Sequence, residues 1–241
     1  MKLNVYKSGE ELNDGLAAWI CDLINSTLQN QEFFTLALSG GNTPKMLYRK
    51  LASPGFLRKI NWERVHIFWG DERAVSADDD RNNSTMAYKN LLNYTGIPES
   101  QIHKMRVDIM PVFAAKDYEH VLHTYFDNTE NSFDLVLLGV GDDGHTLSLF
   151  PGSGDLEESK PWVNAVYNLK QHMYRITLMP SIVNKASNIA FMVTGENKSE
   201  IVQRVIEGPY DPETLPAQVI NPIGGELYWY LDEAAAKQLT R

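Results

Sequence analysis

The chain has 241 residues, 43% of them hydrophobic and 22% charged, with a formal net charge of −9 and a single cysteine. That length and apolar content suit one catalytic domain spanning residues 1–241, and no apolar run approaches the roughly 20 residues that a membrane-spanning helix needs. The acidic balance without a basic stripe argues against nucleic-acid partners, lone Cys21 excludes intrachain disulfides, and "MKLNVYKSGEELND" lacks a signal-peptide core, so the expected compartment is the cytoplasm.

"KLNVY" (2–6) reads as a strand, and Ser8 with Glu11 has the capping-box spacing that opens an amphipathic helix to about residue 29. "FFTLALSG" (33–40) is a buried strand. Thr43 and Pro44 suit the N-cap and first position of a helix carrying Met46, Leu47 and Leu51. "RVHIFWG" (64–70) is a strand, followed by a polar loop and a helix near residues 84 to 92. The acidic "ADDDRNN" in that loop lacks the spacing of a calcium loop and reads as solvated, and His120 and His123 read as surface residues of a further helix.

"FDLVLLG" (133–139) is a strand, "HTLSLF" is at most a short helix stopped by Pro151-Gly152, and "SGDLEESKPW" (153–162) is a loop. "YRITLM" and "NIAFMVTG" are strands. "ENKSEIVQRVIEG" is a helix with Ile201, Val202, Val205 and Ile206 on one face, and "ELYWYL" and "DEAAAKQL" end the chain as a strand and a helix. Apolar strands alternating with helices predict an α/β fold, a mostly parallel Rossmann-like sheet with helices on both faces. Ligands of such sheets bind beyond the carboxyl ends of the strands. The loops leaving strands at Ser39 to Thr43, Gly70 to Arg73, Gly139 to His145 and Thr194 to Lys198 are therefore the candidate site.

Gly139, Gly141 and Gly144 have the spacing of a dinucleotide-binding turn, but the context fails. Such a turn needs a full helix next and an acidic strand end about 20 residues on. Pro151-Gly152 stops any helix within two turns, and Glu157 and Glu158 have no strand before them. The other reading is that these glycines set His145 at a helix start, as a general base oriented by Asp142 or Asp143.

In "LSGGNTP", Ser39, Gly40, Gly41, Asn42 and Thr43 join a strand end to a helix start, where free N–H groups suit a phosphate. Asp71 and Arg73 in "GDER" are candidates for a carboxylate near the reacting carbon and for a clamp or oxyanion stabiliser. Arg175 within an apolar strand and Lys198 in the first turn after "VTG" are further candidates for countering an anion. No cluster with metal-ligand spacing is present, so no metal is expected.

Taken in order, "LSGGNTPKMLY", "FWGDERAV" with "NNSTMAYKNLL", "LLGVGDDGHTLSLFPG", "RITLMPSIVNKA" and "VTGENK" resemble the glucosamine-6-phosphate isomerase/6-phosphogluconolactonase family. Asn42 departs from it, since the family usually has Ser there. The resemblance implies a sugar-phosphate isomerase/deaminase type of fold and hydrolysis of 6-phospho-D-glucono-1,5-lactone without a cofactor, in the oxidative pentose phosphate pathway. It implies the phosphate on the amides of Gly40 to Thr43, countered by Arg175 and Lys198. His145 would be the base, Arg73 would meet the oxyanion or fix the sugar, and Asp71 and Asn83 would hold hydroxyls. The expected partner is the phosphorylated lactone alone, bound by a monomer or weak homodimer.

Two rivals fit less well. An amino-sugar-phosphate deaminase would carry a further carboxylate after His145, where "TLSLFPG" has none. A non-catalytic sugar-phosphate sensor would carry an added DNA-binding domain, for which this chain has neither the spare length nor a basic helix-turn-helix.

Overall fold

The computed structural model describes residues 1–154 and 161–240. Asp155 to Lys160, the middle of the expected loop and the place of Glu157 and Glu158, lie outside the described residues. The described strands are β1 (Lys2–Tyr6), β2 (Phe34–Leu38), β3 (Val65–Trp69), β4 (Asp71–Arg73), β5 (Leu135–Leu138), β6 (Val163–Asn168), β7 (Met173–Leu178), β8 (Asn188–Val193) and β9 (Glu226–Asp232).

Six of them form one sheet in the order β1-β9-β8-β5-β2-β3, parallel at every pairing. Every residue of β2 and β5 is buried, which is why "FTLAL" and "LVLL" are apolar without alternation. Helix α1 (Gly9–Thr27) packs on helix α2 (Asn42–Leu51) and on β1 and β9. Ser8 caps α1, its side chain accepting the Glu11 N–H at 3.2 Å. The helix Pro111–Phe126 reaches β3 through Tyr118, whose hydroxyl accepts the Trp69 N–H at 2.8 Å. From β2 the chain steps outward to β3, then returns to β5 on the other side of β2 and works towards β1. The loops after β2 and β5 thus leave side by side at the switch point, where a crevice opens.

The remaining strands make a second sheet, β4-β7-β6, antiparallel throughout. Gly70 suspends it from the main sheet: its N–H donates to the Leu38 carbonyl at 2.9 Å, and its own carbonyl accepts the Leu178 N–H at 2.8 Å. "YRITLM" is therefore a strand, as its pattern predicts, but it belongs to this small sheet.

Three local expectations are corrected. Gly41, at φ +108, takes the N-cap of α2, so the helix begins at Asn42. The Thr43 hydroxyl instead pairs with that of Thr194 at 3.1 Å, and Met46 is 50% exposed. No helix forms over His145 to Phe150: Leu147 sits at φ +55, and Thr146 Oγ1 donates to the Gly139 carbonyl at 2.9 Å. "DEAAAKQL" makes only turns, the Ala236 N–H on the Asp232 carbonyl and the Leu239 N–H on the Ala236 carbonyl, because so short a segment does not repay helix nucleation. Among the described residues, no helix is long and apolar enough to cross a membrane.

Candidate active site

After Leu138 the chain turns sharply. Gly144, at φ +82, donates its N–H to the Gly141 carbonyl at 3.0 Å, and the Gly141 N–H donates to the His145 carbonyl at 2.8 Å. A Cβ on Gly141 would lie 2.0 Å from Nδ1 and 2.1 Å from Cε1 of His145, so glycine there makes the room that the imidazole occupies. A Cβ on Gly139 would meet nothing within 4 Å, because that position faces open space. Gly141 makes room for His145 and Gly144 supplies the positive φ of the turn, so the histidine leaves a turn and not the helix start that the sequence suggests.

His145 Nδ1 lies 2.5 Å from Asp143 Oδ1, and Nε2 has no partner among the described residues. This hydrogen bond, together with the charge of the ring, holds Asp143 well below the usual carboxylate range. Lys170 adds to it from 3.5 Å. An imidazole oriented through one nitrogen and open at the other can take a proton and return it.

The small sheet brings the other charges. Asp71 is 7% exposed; its Oδ2 accepts the Ser148 hydroxyl at 2.6 Å and lies 3.5 Å from Arg175 Nη1. Arg73 and Arg175 are direct partners across β4 and β7. Arg175 is 5% exposed, and burial pulls it below its ordinary value while Asp71 opposes the shift. Its Nη2 donates to Gln171 Oε1, and Arg73 Nη1 donates to the Arg81 carbonyl at 2.6 Å. The Nε groups of both arginines are buried without a hydrogen-bond partner. Buried donors of this kind call for an acceptor, and an anionic ligand is one.

The turn after β2 is braced from beneath, the Ser39 N–H and carbonyl both bonding the buried Tyr48 hydroxyl at 2.9 and 2.7 Å. Gly40 packs on Asn83, where a Cβ would lie 2.0 Å from Oδ1. The Asn83 amide donates to the carbonyl and the carboxylate of Asp71 at 2.9 and 3.2 Å.

Ser39, Gly40, Asp71, Arg73, His145 and Arg175 thus border one cavity of about 230 Å³, with Asp143 and Asn83 one contact behind. A second cavity of about 320 Å³ continues past Arg73 and Arg175 to Arg81 and Met173. Other sequence candidates lie elsewhere. Asn42 and Thr43 line a separate cavity of about 440 Å³ with Asn13, Lys50 and Thr194. Lys198 Nζ is engaged by the Val140 carbonyl at 2.8 Å and Asp142 at 2.5 Å, so it ties down the glycine turn.

Three contributors escape sequence reasoning: Ser148, Gln171 and Glu72. Ser148 is three residues past His145 in a segment that reads as apolar. Gln171 belongs to a hairpin whose first strand, β6, the pattern does not reveal. Glu72 looks like one more acid at a strand end, and only its 1% exposure marks it out.

A family model described as glucosamine-6-phosphate isomerases/6-phosphogluconolactonase matches residues 7–229. The 6-phosphogluconolactonase of Nostoc sp. is 38% identical over 90% of this chain and 89% of its own length. That of Synechocystis sp. is 40% identical over 85% and 84%. Among solved structures, 6-phosphogluconolactonase from Trypanosoma cruzi superposes with a TM-score of 0.87 at 29% identity, covering 100% of this chain and 97% of that one.

Proposed function

The chain belongs to the glucosamine-6-phosphate isomerase/6-phosphogluconolactonase family, and on that premise we propose that it hydrolyses 6-phospho-D-glucono-1,5-lactone to 6-phosphogluconate. The observation that carries this reading is the His145–Asp143 pair at 2.5 Å, opening on a cavity that Arg73 and the buried Arg175 share.

In the reaction, Nε2 of His145 removes a proton from water as the water oxygen bonds to the lactone carbonyl carbon. Asp143, fixed on Nδ1, orients the ring and offsets the positive charge that it acquires. Arg73 faces the oxyanion of the tetrahedral intermediate. The carbon–oxygen bond of the ring then breaks, and the imidazolium returns its proton to the departing oxygen. Asp71 and Asn83 hold sugar hydroxyls. The ester carbonyl is electrophilic by itself, so the sequence of steps uses no metal or organic cofactor.

The phosphate is assigned to Arg175 and the Ser39–Gly40 turn. The partnerless Nε of Arg175 supports that position. The stretch Asn42 to Thr43 and Lys198 are left out of it, because the former lines another cavity and the latter is already engaged.

The test generates the lactone in place with glucose-6-phosphate dehydrogenase and follows its disappearance. His145→Ala is expected to lower kcat by roughly 10²–10⁴-fold, while Arg175→Ala mainly raises KM. The reverse split would overturn the residue roles. Wild-type loss no faster than in buffer would sink the lactonase reading, and ammonia release from glucosamine 6-phosphate would then be measured.

A further inference from the structure

Glu72 lies between two cavity residues in the chain, yet its own side chain is 1% exposed and buried beneath them. Its Oε1 accepts the N–H groups of Arg73 at 2.8 Å and Asn83 at 2.7 Å, and its Oε2 accepts that of Ser84 at 2.7 Å. Arg73 and Asn83 are separated by an irregular polar loop, and this one carboxylate fixes the main chain at both ends of it. Two of the three donors open the helix Asn83–Ala87, where N–H groups have no partner within the helix.

We infer that Glu72 is a positioning residue for the proposed reaction: its carboxylate, by holding the N–H groups of Arg73, Asn83 and Ser84, sets the Arg73 guanidinium and the Asn83 amide against the phosphosugar. The inference rests on the lactonase reading of the cavity. A carboxylate that only capped the helix would contribute to stability and leave substrate affinity alone.

The chemistry of the site separates these cases. Burial pushes Glu72 up to about 7, against the pull of the Asn83, Ser84 and Arg73 N–H groups, and Asp71 pushes in the same direction as burial. The other charged or titratable groups that feel it are Arg175 on β7 and Tyr118 from the helix Pro111–Phe126. A proton on the carboxyl turns three charge-assisted hydrogen bonds into weaker neutral ones, so its hold on the three N–H groups slackens. Arg73 and Asn83 then loosen, and affinity falls in acid. His145 is assigned to the chemical step, which is read in kcat.

The experiment records KM and kcat for the lactone, and the amide resonances of Arg73, Asn83 and Ser84, from about pH 5.5 to 8.5. Wild type is compared with Glu72→Gln, which keeps the shape but places a permanent NH₂ where the proton would sit. In wild type the three amides are expected to titrate together near neutrality, and KM to rise about 3- to 10-fold on the acid side, roughly the worth of one hydrogen bond. In Glu72→Gln the amides are flat, and KM stays at the wild-type acid value throughout. A Glu72→Gln profile that follows wild type at every pH overturns the inference, as do amides that fail to titrate in wild type. If wild type turns over no lactone, the functional reading fails, and the amide titration alone decides whether Glu72 governs Arg73 and Asn83.

Discussion

A methyl group on Gly141 would stand 2.0 Å from His145 Nδ1, 2.1 Å from Cε1 and 2.9 Å from Asp143 Oδ1. Gly141 is not among the positive-φ glycines, so its backbone accepts alanine without strain. The fold should survive the substitution, and the imidazole has to give way. Ordinary contact starts near 3.4 Å, so the ring must retreat by about 1.4 Å, breaking its 2.5 Å contact with Asp143. A displacement of about 1 Å in a catalytic group costs about 10²-fold, and the whole of a general base about 10²–10⁴-fold. Gly141→Ala should therefore lower kcat by about 10²- to 10⁴-fold, or about 2.7–5.4 kcal/mol, with KM changed by only a few-fold. Lactone disappearance supplies both constants, and a melting curve within a few degrees of wild type certifies the fold. Gly141→Ala with wild-type kcat, alongside an inactive His145→Ala, would refute the claim that this glycine places the ring.

Asp143→Asn removes the carboxylate from His145 Nδ1 and should lower kcat by roughly 10²-fold or more with little change in KM, because the ring loses its orientation and its counter-charge. An unchanged kcat would end the role given to Asp143. Ser148→Ala withdraws a buried donor 2.6 Å from Asp71 and should cost about 1.5–3 kcal/mol in urea unfolding; a loss below about 0.5 kcal/mol would mean that Asp71 finds another donor. Glu72 also makes stability depend on pH. Its native value of about 7 stands above the ordinary 4.5, so the native state holds the proton more tightly. Its contribution is full below about pH 4.5 and is lost as pH rises through 7, about 3 kcal/mol at most. Urea unfolding at about pH 5 and 8 should show this fall in wild type and a flatter profile in Glu72→Gln.

The parallel sheet is legible in the sequence because its strands are buried on both faces, and runs such as "FTLAL" and "LVLL" have no other use. The four loops follow from the sheet, and His145, Asp71 and Arg73 follow from the loops, whereas Arg175 stands out as a charge inside an apolar strand. The small sheet is hidden: β4 is only "DER", three polar residues held by pairing with β7, and short polar strands have no periodicity of their own. Without β4, the reason for a charged residue in "YRITL" is half visible; Arg175 needs a partner, and only the fold brings Asp71 to 3.5 Å. Thr43 misleads because threonine is a good cap, whereas Gly41 at φ +108 reaches a conformation closed to it. "DEAAAKQL" misleads because high helix propensity cannot act over two turns, and Asp232 spends its side chain on the N–H groups of Gly195 and Ala235.

The in-register pairing of Arg73 with Arg175 across β4 and β7 sets two like charges face to face in an antiparallel ladder. Such a pair works against the sheet that carries it. Within the fold, Asp71 offsets that repulsion from 3.5 Å. On the proposed reading a bound phosphate ester would add a second counter-charge, so ligand and fold would stabilise each other. Removing Arg175 would relieve the repulsion but leave Asp71 buried without its counter-charge, so stability and grip on the substrate would fall together.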